Sequence, residues 1–270
     1  LEIIGLENDL LFPPFLYDSL LPHWLLIIAA LLIFGIPFFI LFILGLRILS
    51  SNVKQFSRAT SLTLFGIWLA AVLIGVFTGI ELGTTKAAYG YKIESKDLNF
   101  VTNDTIHLKM TKHDDFAYRS RYNRRNNAQI VYLGEDRKMY SNDIYVNVKK
   151  SETDQAYLQI RKNSEGRNTL KADKSAREIK YEFTTIHNVI NLNNYFLSDY
   201  KNWLKDEEVY VTLFIPNKIT VYFDRSTQDY LNSVENASNT YRRDMVTQYF
   251  TMTDEGLENI DLKDIDELDI

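Results

Sequence analysis

The chain has no cysteine. That excludes disulfides, thiolate metal sites and cysteine nucleophiles, and it leaves the redox compartment open. Histidine is scarce, at four residues. His23 precedes an apolar run, and His107 alternates with Ile106 and Leu108 and so reads as the wet side of a strand. His113 sits beside Asp114 and Asp115 on a turn, where adjacent side chains converge poorly on a metal. There is no glycine-rich phosphate loop, no Gly-x-Ser-x-Gly and no His-Glu-x-x-His. Ser51-x-x-Lys54 has the spacing of a serine acyl enzyme but not the strand and helix that motif needs. No catalytic, cofactor or metal set emerges. With 30 basic and 35 acidic residues the net charge is −5, which gives no basic footprint for nucleic acid.

Charge is missing altogether from two stretches, 24–46 and 62–80. A helix needs roughly 20 apolar residues to cross a ~30 Å hydrocarbon core, so both runs are long enough to span a bilayer. Pro37 lies inside the first run, where membrane helices tolerate it. Trp24 suits an interfacial anchor. In the second run Gly75-x-x-x-Gly79 offers a surface for close helix contact.

The loop 47–61 carries Arg47, Lys54 and Arg58 and no acid, whereas Glu2, Glu7, Asp9 and Asp18 precede the first run without a Lys or Arg. Short cytoplasmic loops are enriched in Lys and Arg. The loop is therefore expected in the cytoplasm, with both flanks outside. Residues 81–270 are then expected in the periplasm or on the outer surface. The expected organisation is an outer loop (1–23), a helix pair (24–82), a β-rich domain (83–225) and a polar, acidic tail (226–270). The first residue is not Met, and the reading is of a piece of a longer protein.

Beyond Ala87 the periodicity changes from helical to alternating. Strands are expected over 105–110, 130–133, 143–149, 156–161, 178–183, 189–192, 208–215 and 218–223. Within 143–149, Ile144, Val146 and Val148 share one face and Tyr145, Asn147 and Lys149 the other, as in a half-buried sheet. Turn signals lie at 134–136, 141–143, 163–166, 193–194 and 216–217. The spacing suits a sandwich or a solenoid. Ala172, Ala176 and Ile179 fall at helical spacing and predict one short helix. A further helix is expected around 238–245. An arginine-tyrosine patch, Arg119, Arg121, Tyr122, Arg124 and Arg125, is a candidate surface for lipid headgroups or an acidic partner. Its bland alternative is an edge strand whose charges block pairing.

Several stretches resemble the C-terminal half of phage shock protein C (PspC) domain proteins of Bacteroidetes type. They are Gly35-Ile-Pro-Phe-Phe39, Leu44-Gly-Leu-Arg-Ile-Leu-Ser50, Leu64-Phe-Gly-Ile-Trp-Leu69, Leu108-Lys-Met110 and Tyr118-Arg-Ser120. Tyr140-Ser-Asn-Asp-Ile-Tyr-Val-Asn-Val148, Ala156-Tyr-Leu-Gln-Ile-Arg161, Glu165-Gly-Arg167 and Val209-Tyr-Val-Thr-Leu213 continue the match. The resemblance runs from about residue 20 to 225. It implies a PspC-related transmembrane region followed by a β-solenoid-like toast-rack domain, related to those of LiaF-like envelope-stress proteins. It also implies a non-enzymatic role in sensing or buffering envelope stress. The PspC domain itself is absent from this sequence. Expected partners are membrane lipids and either another envelope protein or a second copy of the chain in a structural scaffold. An enzyme acting on envelope polymers is the least supported reading.

Overall fold

A computed structural model of the protein describes residues 21–49, 56–100, 103–111, 128–134 and 136–260. The chain divides after Thr85 into a helical unit and a mostly-β unit.

The helical unit is a pair, α1 (His23–Leu49) and α2 (Arg58–Thr84). Ser57 caps α2, its hydroxyl accepting the Thr60 amide at 3.0 Å. Both apolar runs of the sequence lie inside these helices. Only Ala29 and Ile36 of α1 and Ala71 and Glu81 of α2 are buried. Leu31, Phe34, Phe38, Phe42, Leu62, Leu73 and Val76 face outward. A helix apolar on every side and left uncovered by protein needs a lipid solvent.

Pro37 interrupts the bonding of α1 at one point. It has no N–H, so the carbonyl four residues earlier, that of Ile33, loses its helical donor. The Trp68 indole N–H of α2 donates to that carbonyl at 3.2 Å. In hydrocarbon no water could do this. Trp68→Phe is expected to weaken the helix pair by roughly 0.6–1.7 kcal/mol. In a Pro37→Ala background, where the backbone donor returns, the same change is expected to cost far less. Thermal unfolding of the four variants in detergent measures the coupling, and additive losses would remove the explanation.

The β unit begins with β1 (Ala88–Leu98), β2 (Thr105–Thr111), β3 (Gln129–Leu133), β4 (Asp136–Ser141), β5 (Ile144–Lys150) and β6 (Ala156–Gly166). A helix α3 (Thr169–Glu178) comes next, then β7 (Phe183–Ile186), β8 (Val189–Asn193), β9 (Phe196–Asp199) and β10 (Glu208–Ile215). The unit ends with β11 (Thr220–Phe223), β12 (Leu231–Val234), β13 (Tyr249–Thr253) and β14 (Gly256–Asn259). One sheet has the order β1-β6-β10-β5-β12, a second β14-β13-β11-β2-β8-β7, and a third β3-β4-β9. The pairs β5–β10, β5–β12, β2–β8 and β2–β11 are parallel. One contiguous core takes Val146, Val148, Leu158, Val211 and Leu213 from the first sheet, Ile106, Leu108, Ile190, Val221 and Phe250 from the second, and Met139 and Phe196 from the third.

Several boundaries differ from the sequence reading. The turn signal at 163–166 falls within the end of β6, which pairs with Ala88–Tyr91 of β1. The expected strand at 178–183 is replaced by the end of α3, an isolated bridge at Lys180 and the start of β7 at Phe183. Neither β1 nor β4 is among the expected strands, because charged residues obscure their alternation. The largest correction concerns the tail. The domain does not end at 225: β12, β13 and β14 bring Leu231, Phe250, Met252 and Leu257 into the core. The helix expected around 238–245 does not form; Met245 reaches the core from a turn.

Candidate functional site at the start of the β domain

Three residues separate α2 from β1. The second of them, Lys86, forms an ion pair with Glu165 of β6, Nζ to Oε2 at 3.3 Å. Glu165 is buried and also accepts the Asp206 amide at 3.2 Å. Around it lies a buried polar cluster drawn from separate elements: Ser164 of β6, Ser175 of α3, Ser198 of β9, Asn202 in a single 3-10 turn, and Glu207 just before β10.

The cluster is closely bonded. The Lys205 ammonium donates to Ser175 Oγ at 2.8 Å and to Asn202 Oδ1 at 2.7 Å. Asn202 Nδ2 donates to Ser198 Oγ at 3.2 Å and to Glu178 Oε2 at 3.4 Å. Ser164 Oγ donates to Glu207 Oε1 at 3.2 Å, while Glu207 Oε2 has no hydrogen-bond partner. Burial pushes the Glu207 carboxyl up to about 8; the neighbouring Ser198, Ser164, Lys205 and Asn202 pull it the other way without prevailing. Glu207 borders a polar cavity of about 60 Å³ that Lys86, Asp143 and Trp203 also line. The arrangement suits proton storage and rigid positioning. Among the described residues no group of three or more His, Asp or Glu could hold a metal ion.

Helix α3 is locked onto this end of the sheet by two glycines. A Cβ on Gly90 would lie 2.3 Å from the Asp173 amide nitrogen, and one on Gly166 would lie 2.5 Å from that of Ala172. Both clashes are with backbone, so only glycine lets β1, β6 and α3 approach this closely. Asp173 Oδ1 in turn accepts the Tyr91 amide at 3.1 Å.

The residues singled out from sequence fare unequally. Arg119, Arg121, Tyr122, Arg124 and Arg125, together with His113 and Ser51, lie outside the described residues. Gly75 meets α1, with its Cβ position 3.1 Å from Ile33 Cδ1, whereas nothing lies within 4 Å at Gly79. His107 is half-buried against Tyr222, with ring centroids 5.3 Å apart; burial and then Lys109 hold its pKa below the usual value. Sequence reasoning misses the buried cluster. Its residues are scattered from 164 to 207, and its one local signal, Asn-Ser-Glu-Gly, reads as a turn.

Two apolar helices followed by a mostly-β domain define a membrane protein that carries a folded β domain. The PspC transmembrane region matches residues 2–85, and the toast-rack domain found in some PspC proteins matches residues 134–264. Together the matches take in most of the chain, which carries a PspC-type transmembrane region followed by the toast-rack domain found in some PspC proteins. No curated protein and no solved structure matches it.

Proposed function

We propose that this chain is the part of a non-enzymatic envelope-stress sensor or regulator that anchors a β domain to the bacterial inner membrane and holds it in the periplasm. The observation that carries the reading is the short, bonded entry into the domain: Lys86, two residues after α2, is paired to the buried Glu165. A helix displacement transmitted along so short a connection would act on a polar cluster that joins β6, α3, β9 and β10. The parallel pairs β2–β8, β2–β11 and β5–β10 support a toast-rack of stacked coils. The arginine-tyrosine patch at 119–125 is the proposed contact for lipid headgroups or for another envelope protein.

Lys86→Met and Glu165→Gln are each expected to abolish the response of an envelope-stress reporter while leaving membrane insertion intact. An unchanged response in both variants would overturn the coupling. The proposed orientation rests on Arg47, Lys54 and Arg58 between the helices and the acids outside them. A single cysteine at Ser57 should stay unlabelled by an impermeant maleimide in intact cells, whereas one at the exposed Tyr241 should label. The opposite pattern would invert the topology.

A further inference from the structure

Sheets expose unpaired backbone at their edges, and proteins blunt such edges with short strands, bulges or a covering element. Most edges here are blunted: β12, β14 and β7 are four residues each, and β12 carries a register irregularity. β1 is the exception, with 11 residues at the end of its sheet and an uninterrupted register along β6. In an antiparallel pair alternate residues turn their N–H and C=O toward the partner strand. The Tyr91 amide bonds outward to Asp173. The odd-numbered residues, Tyr91, Ile93, Ser95 and Asp97, therefore direct their backbone groups away from β6. Asp173 of α3 closes the edge at Tyr91. Among the described residues no strand pairs with 93–97.

The side chains along this edge are self-complementary. In an antiparallel pairing of β1 with a second β1, the open edge allows only registers that oppose odd residues. One opposes Glu94 to Glu94, and another opposes Lys96 to Lys96. A third centres on Ile93 and needs the Tyr91 amide that Asp173 already holds. The register that sets Ser95 opposite Ser95 and Ile93 opposite Asp97 places Glu94 against Lys96 twice, in the close non-hydrogen-bonded positions where opposite charges attract. Glu94 is half-exposed even while bonded to Lys162, so it can receive the second lysine.

We propose that the β domain dimerises with a second copy of this chain through β1, antiparallel, with Ser95 on the two-fold axis. The inference stands apart from the stress-sensing role, since it concerns only how copies meet.

The absence of native cysteine makes the test clean. In this register the two Ser95 Cα atoms lie about 5.5 Å apart, within disulfide range. Two Ile93 positions are separated by four residues of strand, roughly 13 Å. In native membranes Ser95→Cys is expected to give a disulfide-linked species of twice the chain mass on mild oxidation. Ile93→Cys alone should not, but should link to Asp97→Cys when the two are co-expressed. Ser95→Pro removes only an outward N–H, which edge strands tolerate. It should convert a dimer to a monomer by light scattering in detergent with an unchanged circular dichroism spectrum. The proposal is overturned by no Ser95→Cys link, by equal self-linking at Ile93→Cys, by a link to a different protein, or by a Ser95→Pro variant that is folded and still dimeric.

Discussion

Raising the pH from about 5 to about 9 will destabilise the β domain by on the order of 4 kcal/mol, and Glu207→Gln will remove most of that loss. In the folded protein burial holds the Glu207 carboxyl at about 8, against 4.5 for an ordinary glutamate. Between those values the native state binds a proton that the unfolded chain has released. Stability from this group is therefore fully present below 4.5, falls as the pH climbs, and levels off above about 8. Each pH unit across the interval carries roughly 1.4 kcal/mol. Glu208 is shifted in the same direction by burial but is half in solvent, so its part is smaller. Asp224 is held below its usual value by Ser226, and its contribution is lost only at more acid pH, outside this window. Denaturant unfolding at a series of pH values reads the slope. A flat profile from about pH 5 to about 8, or the same slope in Glu207→Gln, would show that the buried carboxyl is not the source. An amide mimics the protonated acid, so the variant should match the parent at the acid end.

Phe250→Ala will cost the domain about 3–5 kcal/mol, as removal of a fully buried aromatic ring usually does. Phe250 is 0% exposed, lies on β13 and meets the Phe223 ring edge-on with centroids 5.9 Å apart. It pairs in register with Val221 of β11 and with Asn259 of β14. Loss of the ring therefore empties the second sheet where its final hairpin attaches. Tyr241→Ala, in the same polar stretch but 58% exposed, should stay within about 0.5 kcal/mol of the parent. Urea midpoints for the two variants decide the matter. Near-equal small effects would mean that the segment after Asp224 is an appendage and not part of the core.

Phe250 also marks the limit of what is readable along the chain. The residues after 225 look like a tail because their apolar side chains are sparse, separated by Asn, Thr, Asp and Arg. Leu231, Phe250, Met252 and Leu257 become core only because β11 and β5 present partners to β13 and β12 from far away in sequence. The same holds for β1. Its residues Lys92, Glu94, Lys96 and Asp97 hide the alternation, and its length becomes visible only once β6 lies alongside. By contrast β10 and the start of β2 fall where alternation alone puts them. These strands have one continuous apolar face, such as Val209, Val211, Leu213 and Ile215.

The candidate site divides in the same way. Nothing along the chain marks Gly90 and Gly166, which act through the backbone of α3. The carboxylate of Glu207 reads like any surface acid between Asp206 and Glu208. The membrane pair, its length, the charge asymmetry around it and the β character of the residues beyond Ala87 are all legible in the amino-acid order. Those properties are local: an uncharged run or an alternating one carries its meaning within a few turns or one strand. Which edge stays open, where Trp68 compensates for Pro37, where the domain ends and which glutamate is forced to hold a proton are settled only in the folded molecule. Each of these depends on groups distant in sequence meeting away from water, and no local pattern encodes that.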